Sequence, residues 1–246
     1  ILLMKGKMEP HAIASITKLL ALRVVVHAGL DLGGKTTMLA SDWAHTKGGA
    51  RTRLVRGATY ENTDLLHAAL LGSDNRAVVA LGRSAGLNHA ELVQAMNTEA
   101  KSLGLLGAHF TDVTGISHAN RMTPLSIVTL LESTLAAPVI ASVSRKNEYE
   151  TRARERSGRP LVYRNTNLLV RDKTMDVLVG KTGFNSAAGW SVAAIVALSN
   201  QRRVAIIVLG TSGKHMRFRD ARRLARWVET IPWAPARTNQ PETRQT

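Results

Sequence analysis

The chain has 246 residues, of which 44% are hydrophobic and 4% aromatic, so it is long enough to bury a sizeable core built mainly from aliphatic side chains. The absence of cysteine excludes disulfides, cysteine-ligated metal centres and a thiol nucleophile. The formal net charge of +15 favours an anionic partner, but so few aromatic residues leave little material for stacking nucleic-acid bases.

The N-terminal half is predicted to be mainly helical. An apolar segment from Ser15 to Val26 indicates a buried helix. Three more helices are predicted, over Asn62–Ala80, Leu87–Leu103 and Pro124–Leu135. The candidate helix-capping residues are Asn62, Asn88 and Thr123. No apolar run reaches the roughly 20 residues of a membrane span, and no signal peptide is recognisable. We therefore expect a cytosolic protein or a trimmed form of an exported one.

The C-terminal third is predicted to form a small antiparallel sheet. The three expected strands are Asp176–Phe184, Gly189–Leu198 and Arg203–Leu209. The segments between them are too short for parallel crossovers, and an amphipathic helix follows over Phe218–Thr230. Helices inserted between sheet-forming ends predict an α+β protein, with a sheet-containing subdomain (1–30 and 140–233) and a mainly helical one (31–139). Residues 234–246 are polar and proline-rich and are expected to be a disordered tail.

Gly29–Thr36 matches the phosphate-loop pattern G-x-x-x-x-G-K-[ST]. In such a loop Lys35 would contact the terminal phosphates and Thr36 would bind magnesium. The motif also needs a parallel sheet and an acidic residue that ends a second strand, whereas the apolar run 206–209 ends in Gly210. We therefore favour a glycine-rich surface loop after a helix, and an NTP-binding protein remains a remote alternative.

Three further motifs point to a serine nucleophile. Ser15 to Lys18 reads S-x-x-K, Ser73-Asp74-Asn75 reads S-x-N, and Lys181-Thr182-Gly183 reads K-T-G. Each motif is weak alone, but their order along the chain and the elements that carry them favour a common site.

The chemistry of the first motif depends on the state of its lysine. Ser15 and Lys18 lie three residues apart on one face of the predicted helix. A serine hydroxyl becomes a nucleophile only when a base takes its proton. Lys18 can be that base if burial, or a second cation such as Lys181, lowers its pKa. Without the other motifs, Ser15 would be interpreted as a simple helix cap.

The other two motifs supply polar groups for a substrate. Ser73 can relay a proton to a leaving amine and Asn75 can hydrogen-bond a substrate amide, although a helix-to-helix turn is the alternative interpretation of this segment. Gly183 ends a predicted edge strand, where an extended peptide can pair without a steric clash. The eight histidines show no metal-ligand spacing, so no metal or other cofactor is expected.

The segments Ile13–Leu19, Ser73–Asn75 and Lys181–Phe184 resemble the low-molecular-mass penicillin-binding proteins. These are serine D-alanyl-D-alanine peptidases of the β-lactamase/transpeptidase-like fold, in which helices flank an antiparallel sheet and a mainly helical subdomain is inserted. The similarity extends to about Thr230. Gly213–Leu224 is most similar to the endopeptidase branch, and so is Phe184, because the carboxypeptidase branch typically has His at that position.

This resemblance implies a reaction and a set of site residues. The residues implied in nucleophilic attack and proton transfer are Ser15, Lys18, Ser73, Asn75 and Lys181. Those implied to contact the substrate are Thr182, Gly183 and Phe184. Backbone N–H groups of Ser15 and Phe184 would form the oxyanion hole. The implied activity is hydrolysis of peptidoglycan cross-links through an acyl-enzyme, inhibited by penicillin, with removal of terminal D-alanine as the alternative.

The resemblance also implies a location and partners. We expect a periplasmic protein that acts on peptidoglycan, binds β-lactam antibiotics, touches anionic membrane or wall polymers peripherally, and does not bind nucleic acid. We expect three departures from the family: the signal peptide and the additional strand that usually precede the segment corresponding to Ile1–Lys5 are not in this sequence, Ala12 stands where a Pro is common, and nothing after Thr230 resembles the extra β domain and amphipathic anchor of the membrane-bound carboxypeptidases. The E-x-x-L-N motif of rapid deacylation is also missing, so efficient penicillin hydrolysis is not expected.

Overall fold

Helices and antiparallel strands alternate in the computed structural model, which describes residues 1–154, 159–171, 175–199 and 202–232. The helices in these ranges are α1 (Thr17–His27), α2 (Ala40–Ala44), α3 (Asn62–Leu70), α4 (Asn75–Ser84), α5 (His89–Ser102), α6 (Pro124–Leu135), α7 (Pro138–Ser144), α8 (Leu168–Arg171) and α9 (Met216–Thr230). The strands are β1 (His11–Ala12), β2 (Lys35–Thr37), β3 (Thr59–Glu61), β4 (Arg121–Met122), β5 (Glu148–Arg154), β6 (Pro160–Arg164), β7 (Asp176–Gly183), β8 (Trp190–Ala197) and β9 (Arg203–Thr211). The tail predicted over 234–246 lies outside the described residues.

The three-stranded sheet is an antiparallel meander in the order β7-β8-β9, as predicted. Side chains alternate across β8, so Ala193 and Ile195 pack with α6 while Val192 and Val196 pack with Phe218 of α9. The sheet is therefore covered by a helix on each face. Strand β7 lies at one edge, and this edge position leaves its backbone accessible to a peptide.

Helix α1 forms the centre of the main hydrophobic core. The residues from Leu19 to Leu22 are completely buried, which explains why the sequence of this helix is apolar on all sides. Helices α4, α5 and α6 pack around it, and the same core continues to Val179 and Ile195 of the sheet. Buried contacts thus connect the two predicted subdomains, and their boundaries at residues 31 and 139 stay a prediction.

The helix predicted over Asn62–Ala80 is wrong in its centre. Helix α3 ends at Leu70 and α4 begins at Asn75. Between them Ser73 has a left-handed backbone, with φ of +57°, and the Asp74 carboxylate caps α4 by accepting from the N–H groups of Arg76 and Ala77. The apolar residues on both sides of this turn belong to two helices of one core, which is why they resemble a single helical pattern.

Of the three predicted caps, Asn88 and Thr123 are confirmed, since each side chain accepts from a backbone N–H of the helix that follows it. Asn62 is not a cap, because it is already the first residue of α3. Its side chain instead accepts from the Thr36 hydroxyl and donates to the Asp31 carbonyl oxygen. The hydrogen bonds of this asparagine connect α3 to β2 and to the loop that precedes it.

Gly29–Thr36 does not have the geometry of a phosphate loop. The segment follows helix α1 and leads into β2, which pairs antiparallel with β3. A phosphate loop follows a strand and opens a helix, because the helix N-terminus and the loop N–H groups bind the phosphates. Lys35 is exposed and Thr36 is buried against Asn62. The structure therefore supports the surface-loop interpretation.

Among the described residues, no single helix is long and apolar enough to cross a membrane. Helices α6 and α7 pass that test of length and composition only when taken together, and they are bent by 106° where they meet. Within the same residues, no three histidine or carboxylate side chains are grouped so that they could hold a metal ion.

Candidate active site

Ser15 lies in a single 3₁₀ turn, Ala14–Ile16, immediately before α1, close to the start of the helix predicted from the sequence. Ala14 has a left-handed backbone with φ of +45°, which is a strained conformation of the kind often found next to reacting groups. Gly115 packs directly against this turn, where a Cβ atom would lie 1.9 Å from the Ala14 carbonyl oxygen. Only glycine fits at this position, so the turn that presents Ser15 depends on it.

Lys18 is the partner of Ser15. Its Nζ donates to Ser15 Oγ over 2.8 Å and to the Thr114 carbonyl oxygen over 2.7 Å. The side chain is completely buried, and this burial lowers the pKa of Lys18 to about 7, although Asp112 and Asp74 act in the opposite direction. A substantial fraction of Lys18 is therefore a neutral amine at neutral pH, as a general base must be.

The loop that holds Lys18 is organised by Asp112. Its Oδ1 accepts from the N–H and the hydroxyl of Thr114 and from the N–H of Gly115, and its Oδ2 accepts from the N–H of Ser117. The four bonds fix the Thr114 carbonyl oxygen toward Lys18. This aspartate was not predicted from the sequence as a site residue, although a D-x-T-G pattern is typical of a turn in which the carboxylate binds its own backbone.

Ser73 and Lys181 form a second hydroxyl–amine pair. Lys181 Nζ donates to Ser73 Oγ over 3.0 Å and to the Thr182 carbonyl oxygen over 3.3 Å. The pKa of Lys181 lies well below its ordinary value because the side chain is buried, with further lowering by the charges of Lys18 and Arg217. Contacts between residues 108 positions apart thus bring the second and third motifs together.

These residues surround a cleft with a volume of about 950 Å³. Six of the eight predicted site residues line it, and Lys18 and Lys181 lie buried behind its wall. The six are Ser15, Ser73, Asn75, Thr182, Gly183 and Phe184. Gly49 also lines the cleft and approaches Asn75 so closely that a Cβ atom would lie 2.3 Å from its Nδ2.

Thr166 fixes the hydroxyl of Thr182, with 2.7 Å between their Oγ1 atoms. Thr166 was not predicted as a site residue.

The charge of the cleft wall is positive. The described lining residues include four cations, Arg164, Arg171, Lys214 and Arg217. None of these described lining residues carries a carboxylate. Arg164 pairs with Glu148 outside the cleft at 3.5 Å. An acidic peptide would therefore meet favourable charge along this wall.

At the end of β7, Phe184 stacks on Trp190, with ring centroids 3.8 Å apart, and its side chain is 51% exposed. Arg217 lies behind this pair and donates to the carbonyl oxygens of Gly183 at 2.9 Å and Ser191 at 3.0 Å. Arg217 and Trp190 were not predicted individually as site residues, because only the folded sheet brings their segments together.

Comparisons with known proteins agree with this geometry. The model of peptidase family S11, described as D-alanyl-D-alanine carboxypeptidase, matches residues 1–213. The D-alanyl-D-alanine endopeptidase of Escherichia coli K12 is 34% identical over 89% of this chain and 69% of its own length. Its counterpart of the same name in Pseudomonas aeruginosa is 33% identical over the same shares.

The fold is shared with a solved structure. The Streptomyces K15 DD-transpeptidase superposes with a TM-score of 0.83 at 24% identity, over 94% of this chain and 92% of that chain. This match confirms the predicted α+β, transpeptidase-like fold. The S-x-x-K, S-x-N and K-T-G residues converge on one cleft, and the family model and the two curated relatives match the same chain. The chain therefore belongs to the S11 family of serine-type D-alanyl-D-alanine peptidases.

Proposed function

We propose that the chain is a serine D-alanyl-D-alanine endopeptidase that hydrolyses peptide cross-links of peptidoglycan through an acyl-enzyme on Ser15. The observation that carries the proposal is the 2.8 Å contact between Ser15 Oγ and Lys18 Nζ, together with the lowered pKa of about 7 for that lysine. A nucleophile and a partly neutral base in direct contact are the parts that acyl transfer requires.

Acylation begins with Lys18 as a neutral amine. Lys18 takes the proton of the Ser15 hydroxyl while Ser15 Oγ forms a bond to the carbonyl carbon of D-alanine. The carbonyl oxygen becomes an oxyanion, which the backbone N–H groups of Ser15 and Phe184 stabilise. Gly183 supports this arrangement, because a Cβ there would lie 2.6 Å from the Ile13 carbonyl oxygen and would push β7 away from the Ser15 turn.

The intermediate then breaks its C–N bond. Ser73, held by Lys181 at 3.0 Å, passes its hydroxyl proton to the leaving amine, and Ser73 is reprotonated by the one proton that Lys18 took from Ser15. Water next attacks the ester carbon and gives one proton to Lys18. The products are a free D-alanyl carboxylate and the Ser15 hydroxyl, which recovers its proton from Lys18.

The substrate is an extended acidic peptide. Strand β7 offers an open edge for pairing with such a peptide, and the cations Arg164, Arg171 and Lys214 of the wall favour the carboxylates of peptidoglycan stem peptides. Two relatives at 33–34% identity are named endopeptidases, which supports cross-links over terminal D-alanine. The alternative, a carboxypeptidase, is supported by the description of the family model.

The proposed place of action is the periplasm, where peptidoglycan is exposed to soluble enzymes. The net charge of +15 supports peripheral contact with anionic lipids or wall polymers. The exposed arginines Arg219, Arg223 and Arg226 on α9 are the residues best placed for such contact. Cell fractionation of a tagged protein tests the location: recovery in the cytosol would contradict it.

Labelling with fluorescent penicillin tests the chemistry. We expect covalent label on the wild type, none on Ser15→Ala, and normal label on Ser186→Ala, which removes another serine hydroxyl of the same cleft. Label that survives Ser15→Ala would overturn the proposed nucleophile. Digestion of cross-linked muropeptide dimers and of monomeric pentapeptides then separates the activities: release of D-alanine from monomers with intact dimers would favour the carboxypeptidase.

A further inference from the structure

Arg217 is a buried cation that has no place in the proton transfers proposed above. It is 3% exposed, and its Nη1 donates to the carbonyl oxygens of Gly183 and Ser191, which are paired across β7 and β8. The guanidinium carbon lies 5.1 Å from the ring centre of Trp190 and 4.6 Å from that of Phe218. Two strands and two aromatic rings thus hold this side chain in one position.

The Gly183 carbonyl and the Phe184 N–H belong to the same peptide group. In a planar trans peptide the C=O and N–H bonds point in opposite directions, and no peptide bond in the described residues is cis. Arg217 holds the carbonyl on the side of β8. The N–H of Phe184 therefore points away from β8, toward the open edge of β7 and the cleft.

A bond from a guanidinium has two effects on this peptide group. It prevents the peptide plane from rotating, so that the N–H stays aimed at the cleft before a substrate arrives. It also draws electron density toward the carbonyl oxygen, which makes the N–H a stronger donor, as in cooperative hydrogen-bond chains. Burial lowers the pKa of Arg217 to about 10, so the side chain remains a cation at neutral pH.

We propose that Arg217 is a positioning residue of the oxyanion hole, which acts through the Gly183–Phe184 peptide by orienting and polarising the Phe184 N–H. The inference rests on the proposed function, since it assumes that this N–H binds the oxyanion formed at Ser15. Arg217 would then accelerate acyl transfer without touching the reacting atoms. The Phe184–Trp190 stack contributes by fixing the residue on the other side of the same peptide.

Two variants test the proposal. Arg217→Met removes the charge and the donors at similar length, whereas Arg217→Lys keeps the charge and one donor group. Loss of a whole oxyanion-hole donor slows catalysis about 100- to 1,000-fold, so loss of its support should slow Ser15 acylation by penicillin about 10- to 100-fold, with Arg217→Lys nearer to the wild type. The dissociation constant of the non-covalent penicillin complex should stay within about twofold, because the penicillin itself has lost no contact.

Infrared spectroscopy gives a second readout that a purely structural role would not change. The ester carbonyl of the penicilloyl-enzyme should absorb at a higher frequency in Arg217→Met than in the wild type, because a weaker hydrogen bond polarises the carbonyl less. Arg23→Met is the matched control, since Arg23 also donates to a backbone carbonyl oxygen, that of Ser133, in a part of the core outside the cleft lining. It should leave the carbonyl frequency and the acylation rate unchanged.

The outcomes separate this inference from the proposed function. A wild type that is not acylated at Ser15 overturns the proposed function and the inference together. Normal acylation of the wild type, with an unchanged carbonyl frequency in both Arg217 variants, overturns the inference alone. A large rise in the dissociation constant with an unchanged acylation rate would also overturn it, because Arg217 would then bind the ligand directly.

Discussion

Protonation of Lys18 is expected to control the acid side of the pH profile for Ser15 acylation. The side chain is completely buried and donates to Ser15 Oγ and to the Thr114 carbonyl oxygen. Burial lowers its pKa from 10.5 to about 7. Only the neutral amine can take the Ser15 proton, so acylation should increase with pH and level off above about pH 8.

The size of the effect follows from this shift. A lysine with the ordinary pKa of 10.5 is a neutral amine in only about one molecule in 3,000 at pH 7. A pKa of about 7 makes that fraction about one half, so burial raises the population of active base by about three orders of magnitude. Below pH 6 the acylation rate should fall about tenfold for each pH unit.

The assay is the rate of fluorescent penicillin labelling between about pH 5 and about pH 10. The Asp112 charge raises the pKa of Lys18, so Asp112→Asn should move the acid limb to lower pH. Because Asp112 also organises the Thr114 loop, the quantity compared is the position of the acid limb and not the absolute labelling rate. Asp176→Asn, an equal charge change at the exposed start of β7, should not move it. A flat profile, or a rate that still climbs steeply near pH 10, would refute Lys18 as a base with a lowered pKa.

Three further variants, one of them with a matched control, test the roles of Lys18, Gly115 and Thr166. Because the pKa of Lys18 is lower in the folded than in the unfolded state, stability should rise with pH between about 7 and about 10.5. Lys18→Met should weaken this dependence and raise the free energy of unfolding near pH 7 by about 1–3 kcal/mol, as measured by urea unfolding; a less stable variant contradicts this expectation. Gly115→Ala should abolish penicillin labelling and lower stability by about 2–4 kcal/mol, whereas Gly86→Ala, with φ of +80° but open space around it, should lower stability by about 1 kcal/mol; equal losses in thermal melts would argue against the steric explanation. Thr166→Val should lower kcat/KM about tenfold with an unchanged melting temperature, and a change in melting temperature alone would assign it a structural role.

Local patterns in the sequence predicted the longer helices and the three-stranded sheet, but not the β5–β6 hairpin, helix α7 or the short strands β1 to β4. The bounds predicted for Pro124–Leu135 are those of α6, and the predicted strands agree with β7, β8 and β9 to within two residues. Alternation along a strand and caps at helix starts depend on neighbouring residues, so one sequence is enough to recognise them. The break between α3 and α4 could not be recognised in this way, because both helices bury apolar residues in the same core.

The site was predicted only in part, for a related reason. The three motifs named Ser15, Ser73 and Lys181 as possible partners, and the fold brings them to one cleft. Arg217 and Asp112 act through backbone carbonyl and N–H groups, and the sequence does not show which backbone groups a side chain will meet. Residues that position a site through the main chain therefore became visible only in the folded structure.

The most direct test of the central claim is mass spectrometry of the protein after incubation with benzylpenicillin. We expect one equivalent of penicilloyl adduct, located by proteolysis on the peptide that contains Ser15, and no adduct on Ser15→Ala. An adduct on another residue, or an unmodified wild type at saturating penicillin, would contradict the assignment of Ser15 as the acylated nucleophile.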